Sequence, residues 1–310
     1  MNIFPYVQIA LSALNATTHY PTKLVLTNDD GWAVAQIRAQ NDALKTAGFD
    51  VILSAPAENQ SGSGSRSATP RPLTKPCQFD TCPIGSPAKG YNSSDPRLNY
   101  VNSFPVDAAR FGIRTLSPQI FGSAPDFVLS GPNIGNNLGL AVLGSGTVGA
   151  ACEAAKEGIP AIAVSGESTS SVSYSTLLSD PNSPATLAAL LNSQLTAKFL
   201  NALLASHHRP ILPRNIIVNV NFSPPNNSSC SGVDDYKFIF TRLLPDPLHL
   251  ATDVTTCGTD HLPDERSVIR NRSAGCRATV SVISALTKLD VGASTQAAVL
   301  DRVSNILSCA

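Results

Sequence analysis

The sequence predicts an α/β protein built on a mostly parallel sheet, and three stretches carry that prediction. Leu24 to Gly31, LVLTNDDG, runs from apolar and β-branched residues into two adjacent carboxylates and a glycine. A buried parallel strand reads this way when its polar residues lie at its carboxyl end, the edge where open α/β sheets bind ligands. A helical pattern over Val34–Ala47, stopped by Gly48, then leads into a second strand, Asp50–Ala55 (DVILSA). That is a βαβ start. Asp126–Gly131, DFVLSG, is a third buried run, and it opens into PNIGNNLG.

The remaining elements follow in order. Pro56–Ser67, PAENQSGSGSRS, is a glycine- and serine-rich loop at the carboxyl end of the second strand, either a surface loop or a binding loop. Pro70–Tyr91 is proline-rich and reads as short strands and an excursion from the core. Pro105–Leu116 predicts a helix with proline in its first turn. Ser145-Gly146-Thr147 opens another helix, which Gly158 closes, and Ala161–Ser165 is a strand. Pro184–Ala205 predicts a long amphipathic helix, Asn215–Asn221 a strand with apolar alternation, and Tyr236–Leu243 a further strand. Ser223–Arg277 is loop-rich. Ala278–Leu286 reads as a strand, and Thr295–Cys309 as a closing helix with Ala298, Val299, Val303, Ile306 and Leu307 on its apolar face.

At 310 residues the chain can bury one large α/β core or two smaller ones. Hydrophobic residues make up 43% and charged residues 14%, which excludes a disordered chain. Lys+Arg and Asp+Glu are both 22, so no long-range field gathers nucleic acid or an anionic membrane. The apolar run Ile3–Leu14 is too short to span a bilayer and predicts a secretory signal peptide over residues 1–16, a buried N-terminal segment being the alternative. No later stretch is long and apolar enough for a membrane span. Seven cysteines fit a secreted, extracellular protein. Cys77 and Cys82 would close a short loop, Cys152 is the odd one out, and Cys230, Cys257, Cys276 and Cys309 allow three pairings. Sequons at Asn92, Asn221, Asn226, Asn227 and Asn271 are compatible with a glycoprotein.

Two neighbouring carboxylates at a strand end are costly unless a cation or protons neutralise them. A bare DDG can also be a plain turn. Ser61 and Asn133 are predicted at the same sheet edge as Asp29 and Asp30. That set offers hard oxygen donors, which suit Mg²⁺, Mn²⁺ or Ca²⁺ rather than zinc. The five histidines show no HExxH or similar spacing, and His207 with His208 reads as a solvated helix end. Gly144-Ser145-Gly146-Thr147 at a helix start offers backbone N–H groups, the helix dipole and two hydroxyls, either as an anion site or as a simple cap. No Gly-Lys-Ser/Thr follows it. GSGTVG lies outside the first βα turn, and no G-x-S-x-G elbow occurs, so nucleotide-triphosphate, dinucleotide and serine-hydrolase readings lack support.

TNDDG (Thr27–Gly31), APAENQSGSGS (Ala55–Ser65), SGPNIGNNLG (Ser130–Gly139) and GSGTVGAACEAAKEGIPAIAVS (Gly144–Ser165), in that order, resemble the SurE survival-protein family. NIIVNVNFSPP and ATVSVISAL resemble its later strands. Pro132, the cysteine-bearing insertions and the N-terminal apolar run depart from its pattern. The resemblance implies a three-layer, Rossmann-like α/β/α fold in one domain, residues 22–310, with a core to 222 and a loop-rich, cysteine-containing extension from 223. It implies a divalent-metal-dependent phosphomonoesterase, of nucleotidase or acid-phosphatase type, acting on small phosphorylated substrates. The implied metal ligands are Asp29, Asp30, Ser61 and Asn133, with Mg²⁺ or Mn²⁺ as the metal and Asp29 and Asp30 also catalytic. Asn59, Asn137, Ser145, Gly146 and Thr147 are the implied substrate and phosphate residues. A homodimer or homotetramer is the implied assembly. The other class of function open to this chain is a non-catalytic binding protein for nucleotides or phosphorylated ligands. A covalent phosphoryl-aspartate route lacks its DxDxT spacing.

Overall fold

The computed structural model describes residues 21–167, 170–206, 208–225 and 230–310. The predicted signal peptide, His19, His207 and the sequons at Asn226 and Asn227 lie outside them. The elements in chain order are β1 (Lys23–Thr27), α1 (Ala35–Thr46), β2 (Asp50–Pro56), β3 (Lys89–Asn92), β4 (Asp95–Val101), α2 (Pro105–Phe111), α3 (Ser117–Phe121), β5 (Phe127–Ile134), α4 (Gly146–Lys156) and β6 (Ala161–Gly166). They continue with α5 (Thr176–Ser179), α6 (Pro184–Ala205), β7 (Ile216–Phe222), β8 (Lys237–Thr241), α7 (Glu265–Arg270), β9 (Arg277–Ser284), α8 (Ala293–Val303) and β10 (Leu307–Ser308).

The ten strands of the described residues join one sheet, in the order β10-β8-β9-β7-β6-β5-β1-β2-β4-β3. β1 sits between β2 and β5, parallel to both. Among the strand pairs of the described residues, β3–β4 and β7–β9 are antiparallel. Side-chain alternation along β1 feeds two cores. Leu24 and Leu26 pack into the cluster containing Ile37 and Leu44 of α1, Phe199 of α6 and Val299 of α8. Val25 points the other way, into the cluster with Val148 and Cys152 of α4. Helices α1, α6 and α8 therefore cover one face, and α2 and α4 the other, which makes the three layers.

Several elements differ from their predicted form. β4 was not legible, because Asp95-Pro96-Arg97 is a poor strand opening; it forms because Leu53–Pro56 pairs with Leu98–Val101. α6 is long as predicted but not cleanly amphipathic. Asn192, Ser193 and Thr196 are buried along with its leucines, since α1, α8 and the sheet surround it. β7 is buried on both faces, so its asparagines lie inside. α8 stops at Val303, and Leu307–Ser308 instead adds a short parallel strand to β8. The segment beyond residue 222 contributes β8, β9 and β10 to the common sheet as well as its loops.

Three disulfides close: Cys77–Cys82, Cys230–Cys276 and Cys257–Cys309, with Cys152 buried and free. Of the predicted sequons, Asn221 is fully buried with its amide bonded to Asn137, which removes it as a glycan acceptor in the folded chain. Among the described residues, no helix is long and apolar enough to cross a membrane.

Candidate active site

β1 delivers Asn28, Asp29, Asp30 and Gly31 to the carboxyl edge of the sheet, at its centre. Asn28 ties the turn on itself: its Nδ2 donates to the Gly31 carbonyl at 3.0 Å and its Oδ1 accepts from the Gly31 N–H at 3.3 Å. Asp29 and Asp30 are each only 2% exposed. Alternation would send neighbours to opposite faces, but the turn relaxes that rule, and the two carboxylates meet different loops at one edge.

Asp29 faces the start of α4. The Thr147 hydroxyl donates to Oδ1 at 2.6 Å and the Thr147 N–H to Oδ2 at 3.1 Å. Close approach requires glycine next door, since a Cβ on Gly146 would lie 2.8 Å from both Asp29 Cβ and Ser63 Oγ. The helix dipole also favours negative charge there. Asp30 accepts the Ile134 N–H at 2.8 Å and the Ser61 hydroxyl at 3.3 Å. A one-residue register shift between β5 and β6, where Ser130 pairs with Ala163 and Asn133 with Ser165, turns the end of β5 toward Asp30.

Burial dominates the electrostatics. It raises Asp29 above the carboxylate range, against the opposing hydrogen bonds from Thr147. Asp30 is pushed up to about 8, by burial first and by the charge of Asp29 second. Ionising this site in the folded chain is therefore strongly disfavoured unless a counter-charge is present. Among the described residues, no ion pair reaches either carboxylate. The pair is therefore relieved either by protons or by a cation from outside the chain.

The donors around it fit a hard one. Ser61 brings a hydroxyl to 3.3 Å from Asp30, Asn133 stands beside Ile134, whose N–H reaches Asp30 at 2.8 Å, and the Ser63 hydroxyl is buried with no hydrogen-bond partner among the described residues. Among the described residues, no three His, Cys, Asp or Glu side chains gather as a metal cage. A divalent cation here would take two carboxylates and complete its shell with neutral and water oxygens, the habit of Mg²⁺ and its analogues.

The other predicted residues are placed less uniformly. Ser145 caps α4, its Oγ accepting from the Val148 N–H at 3.1 Å. Thr147 does not aim at an open phosphate position. Both its donors go to Asp29, and the Gly146 N–H also acts on that carboxylate, so the helix N-terminus holds the chain's own anion. Asn59 is exposed and folds onto its own loop, with Oδ1 accepting from the Ser61 N–H at 2.8 Å. Asn133 Nδ2 donates to the Gly135 carbonyl at 2.6 Å. Asn137 is built into a buried network, with Nδ2 on Ser165 Oγ and its carbonyl accepting from Asn219 and Asn221. Glu265 anchors that network, accepting from the Gly139 N–H, Asn219 and Ser281.

Sequence reasoning missed Ser63 and Glu265. The first was visible as part of the SGSGS run. The second gave no signal, because a single glutamate in a loop-rich stretch carries no periodicity.

Residues 24–245 match the family model described as Survival protein SurE. The chain belongs to the SurE family. The match takes in the carboxylate pair and its loops. Glu265, α8 and the Cys257–Cys309 disulfide lie beyond it. A protein of Yarrowia lipolytica named acid phosphatase is 34% identical over 88% of this chain and 84% of its own length. The 5'-nucleotidase SurE of Geobacter metallireducens is 37% identical over 46% of this chain and 48% of its own length. That of Thermosynechococcus vestitus is 32% identical over 68% and 67%. The crystal structure of the SurE protein from Aquifex aeolicus matches the fold with a TM-score of 0.56 at 23% identity, covering 86% of this chain and 94% of that one.

Proposed function

We propose that this chain is a divalent-metal-dependent phosphomonoesterase acting on nucleoside monophosphates or similar small phosphomonoesters. The observation that carries the proposal is the buried Asp29–Asp30 pair, which has no cationic partner among the described residues and is backed by the N-terminus of α4. The names of the SurE relatives, 5'-nucleotidase and acid phosphatase, support the reaction class. Asp29, Asp30, Ser61 and Asn133 would hold Mg²⁺ or Mn²⁺, and the bound metal would supply Lewis-acid polarisation of the phosphoryl group.

The chain's own residues do the rest. Thr147 and the α4 N-terminus hold Asp29 in one orientation. Both Asp29 oxygens accept bonds from Thr147, whereas Asp30 Oδ1 has only the 3.3 Å contact with Ser61. With its proton displaced by a bound cation, Asp30 would be the freer acceptor for the proton of the attacking water. Ser145 Oγ accepts from Val148 and keeps its own hydrogen to donate to a phosphoryl oxygen. Gly146 and Thr147 act on substrate through Asp29. Asn59 and Asn137 lie on the loops that follow β2 and β5 at the same edge of the sheet.

The three disulfides support passage through an oxidising secretory compartment. A homodimer or homotetramer is the assembly the family resemblance implies, and light scattering of the purified chain tests it. Phosphate release from a panel of nucleoside monophosphates, with EDTA and with Mg²⁺ or Mn²⁺ restored, tests the function. Release restored by metal supports it. Metal-dependent nucleotide binding without any release replaces it with a binding protein.

A further inference from the structure

The excursion from the core at residues 70–91 returns to the active site at one point. Cys77 and Cys82 close a small loop, and the Cys77 N–H donates to the Cys82 carbonyl at 2.9 Å. Both cysteines are buried, while Phe79 and Asp80 cross the top of the loop, each with φ of 56°. The loop's polar contacts converge on the carboxylate turn. Gln78 Nε2 donates to the Asp30 carbonyl at 2.9 Å. The Trp32 indole donates to Thr81 Oγ1 at 3.0 Å, and that hydroxyl donates back to the Gln78 carbonyl at 2.7 Å. The Gln78 N–H donates to the Ala57 carbonyl at 3.0 Å, tying the loop to the end of β2.

Gly31 completes the fit. Its φ is +109°, and a Cβ there would lie 2.2 Å from Gln78 Oε1. The glutamine side chain occupies the space that any other residue at 31 would fill.

We propose that the Cys77–Cys82 loop is a positioning element for the carboxylate pair, and that Gln78 is its positioning residue. The proposal rests on the reading of Asp29 and Asp30 as metal ligands. The direction of the Asp30 carboxylate follows from the peptide planes on either side of it. The plane after Asp30 is held by the Gln78 amide on its carbonyl and by Asn28 on the Gly31 N–H, and Trp32, two residues on, is held by Thr81. Gln78 is itself fixed by the disulfide on one side and Ala57 on the other. It touches neither reacting atoms nor metal; it acts through Asp30. Partners that orient a metal ligand typically contribute about 10- to 100-fold in metal affinity.

The test compares wild type, Asp29→Asn, Gln78→Met and the double variant Cys77→Ser/Cys82→Ser. Methionine keeps the length of the side chain and removes the amide donor. Mn²⁺ affinity is measured by isothermal titration calorimetry, thermal unfolding is measured in EDTA, and p-nitrophenyl phosphate kinetics are measured at saturating Mn²⁺. The expected result is a Mn²⁺ Kd raised about 10-fold or more in Gln78→Met and in the double variant. KM is unchanged, and the unfolding temperature of Gln78→Met in EDTA falls only by the loss of the one hydrogen bond to the Asp30 carbonyl. A Gln78→Met protein that binds Mn²⁺ like wild type overturns the proposal. So does a Kd that worsens only in step with a lower unfolding temperature. If Gln78→Met does not fold, the double variant and wild type reduced with a phosphine decide, by the same shift in Kd. A wild type that binds no Mn²⁺, matching Asp29→Asn, overturns the metal-site reading itself and the proposal with it.

Discussion

The two carboxylates at the end of β1 have different surroundings and predict different mutant behaviour. Asp29→Asn keeps the shape but removes the charge that the α4 N-terminus holds, and it should lose nearly all phosphate release while leaving the fold intact. Asp30→Asn removes the group pushed up to about 8 by burial and by Asp29. It should raise the thermal unfolding temperature of the metal-free protein while abolishing turnover. Calorimetry in EDTA beside a phosphate assay reads both effects, and full turnover in either variant contradicts the assignment. Gly146→Ala is the steric test. Its methyl would meet Asp29 Cβ and Ser63 Oγ at 2.8 Å, and overpacking of this kind costs about 1–3 kcal/mol. Denaturant unfolding measures that loss. Phosphate release should fall too, because the helix start and Asp29 must move apart.

The elements outside the carboxylate turn set the pH behaviour. Glu265, at the start of α7, is fully buried and bonded to the Gly139 N–H, Asn219 of β7 and Ser281 of β9. Burial pushes it from 4.5 up to about 8. The folded chain therefore keeps a proton that the unfolded chain releases above 4.5. Stability from this group is fully present below that value and is lost as pH rises through about 8, by up to about 1.4 kcal/mol per pH unit in that window. Glu265→Gln should flatten this slope in denaturant unfolding measured across the window, and an unchanged slope would remove Glu265 as its source. The disulfides act on the chain's end. Cys257 and Cys309 are 52 residues apart and tie β10 to the loop before α7. Opening this link by Cys257→Ala/Cys309→Ala should cost about 2–4 kcal/mol, read by thermal unfolding.

At the scale of the whole molecule, legibility followed periodicity. β1, α1, β2, β5, α4 and β6 were readable because strand runs and helix caps there agree with the tertiary fold. β4 was hidden by Pro96 and depends on pairing with β2, a non-local contact. Thr295–Cys309 looked helical throughout, but α8 ends at Val303 and Leu307 joins the sheet. Asp29 and Asp30 follow β1, Ser61 lies in the loop after β2 and Asn133 stands near the end of β5, so three strand ends bring them to one sheet edge. The helix start at Gly146–Thr147 was legible as an anion site, but only the fold shows that the anion it holds is Asp29. Glu265 and Gln78 were not legible, since their partners lie 126 and 48 residues away. The most direct test of the account is phosphate release from p-nitrophenyl phosphate as Mn²⁺ is added back to EDTA-treated protein, wild type beside Asp29→Asn. The account predicts saturable, metal-restored release in wild type and none in the variant. Equal release in both, or release that EDTA leaves untouched, would contradict it.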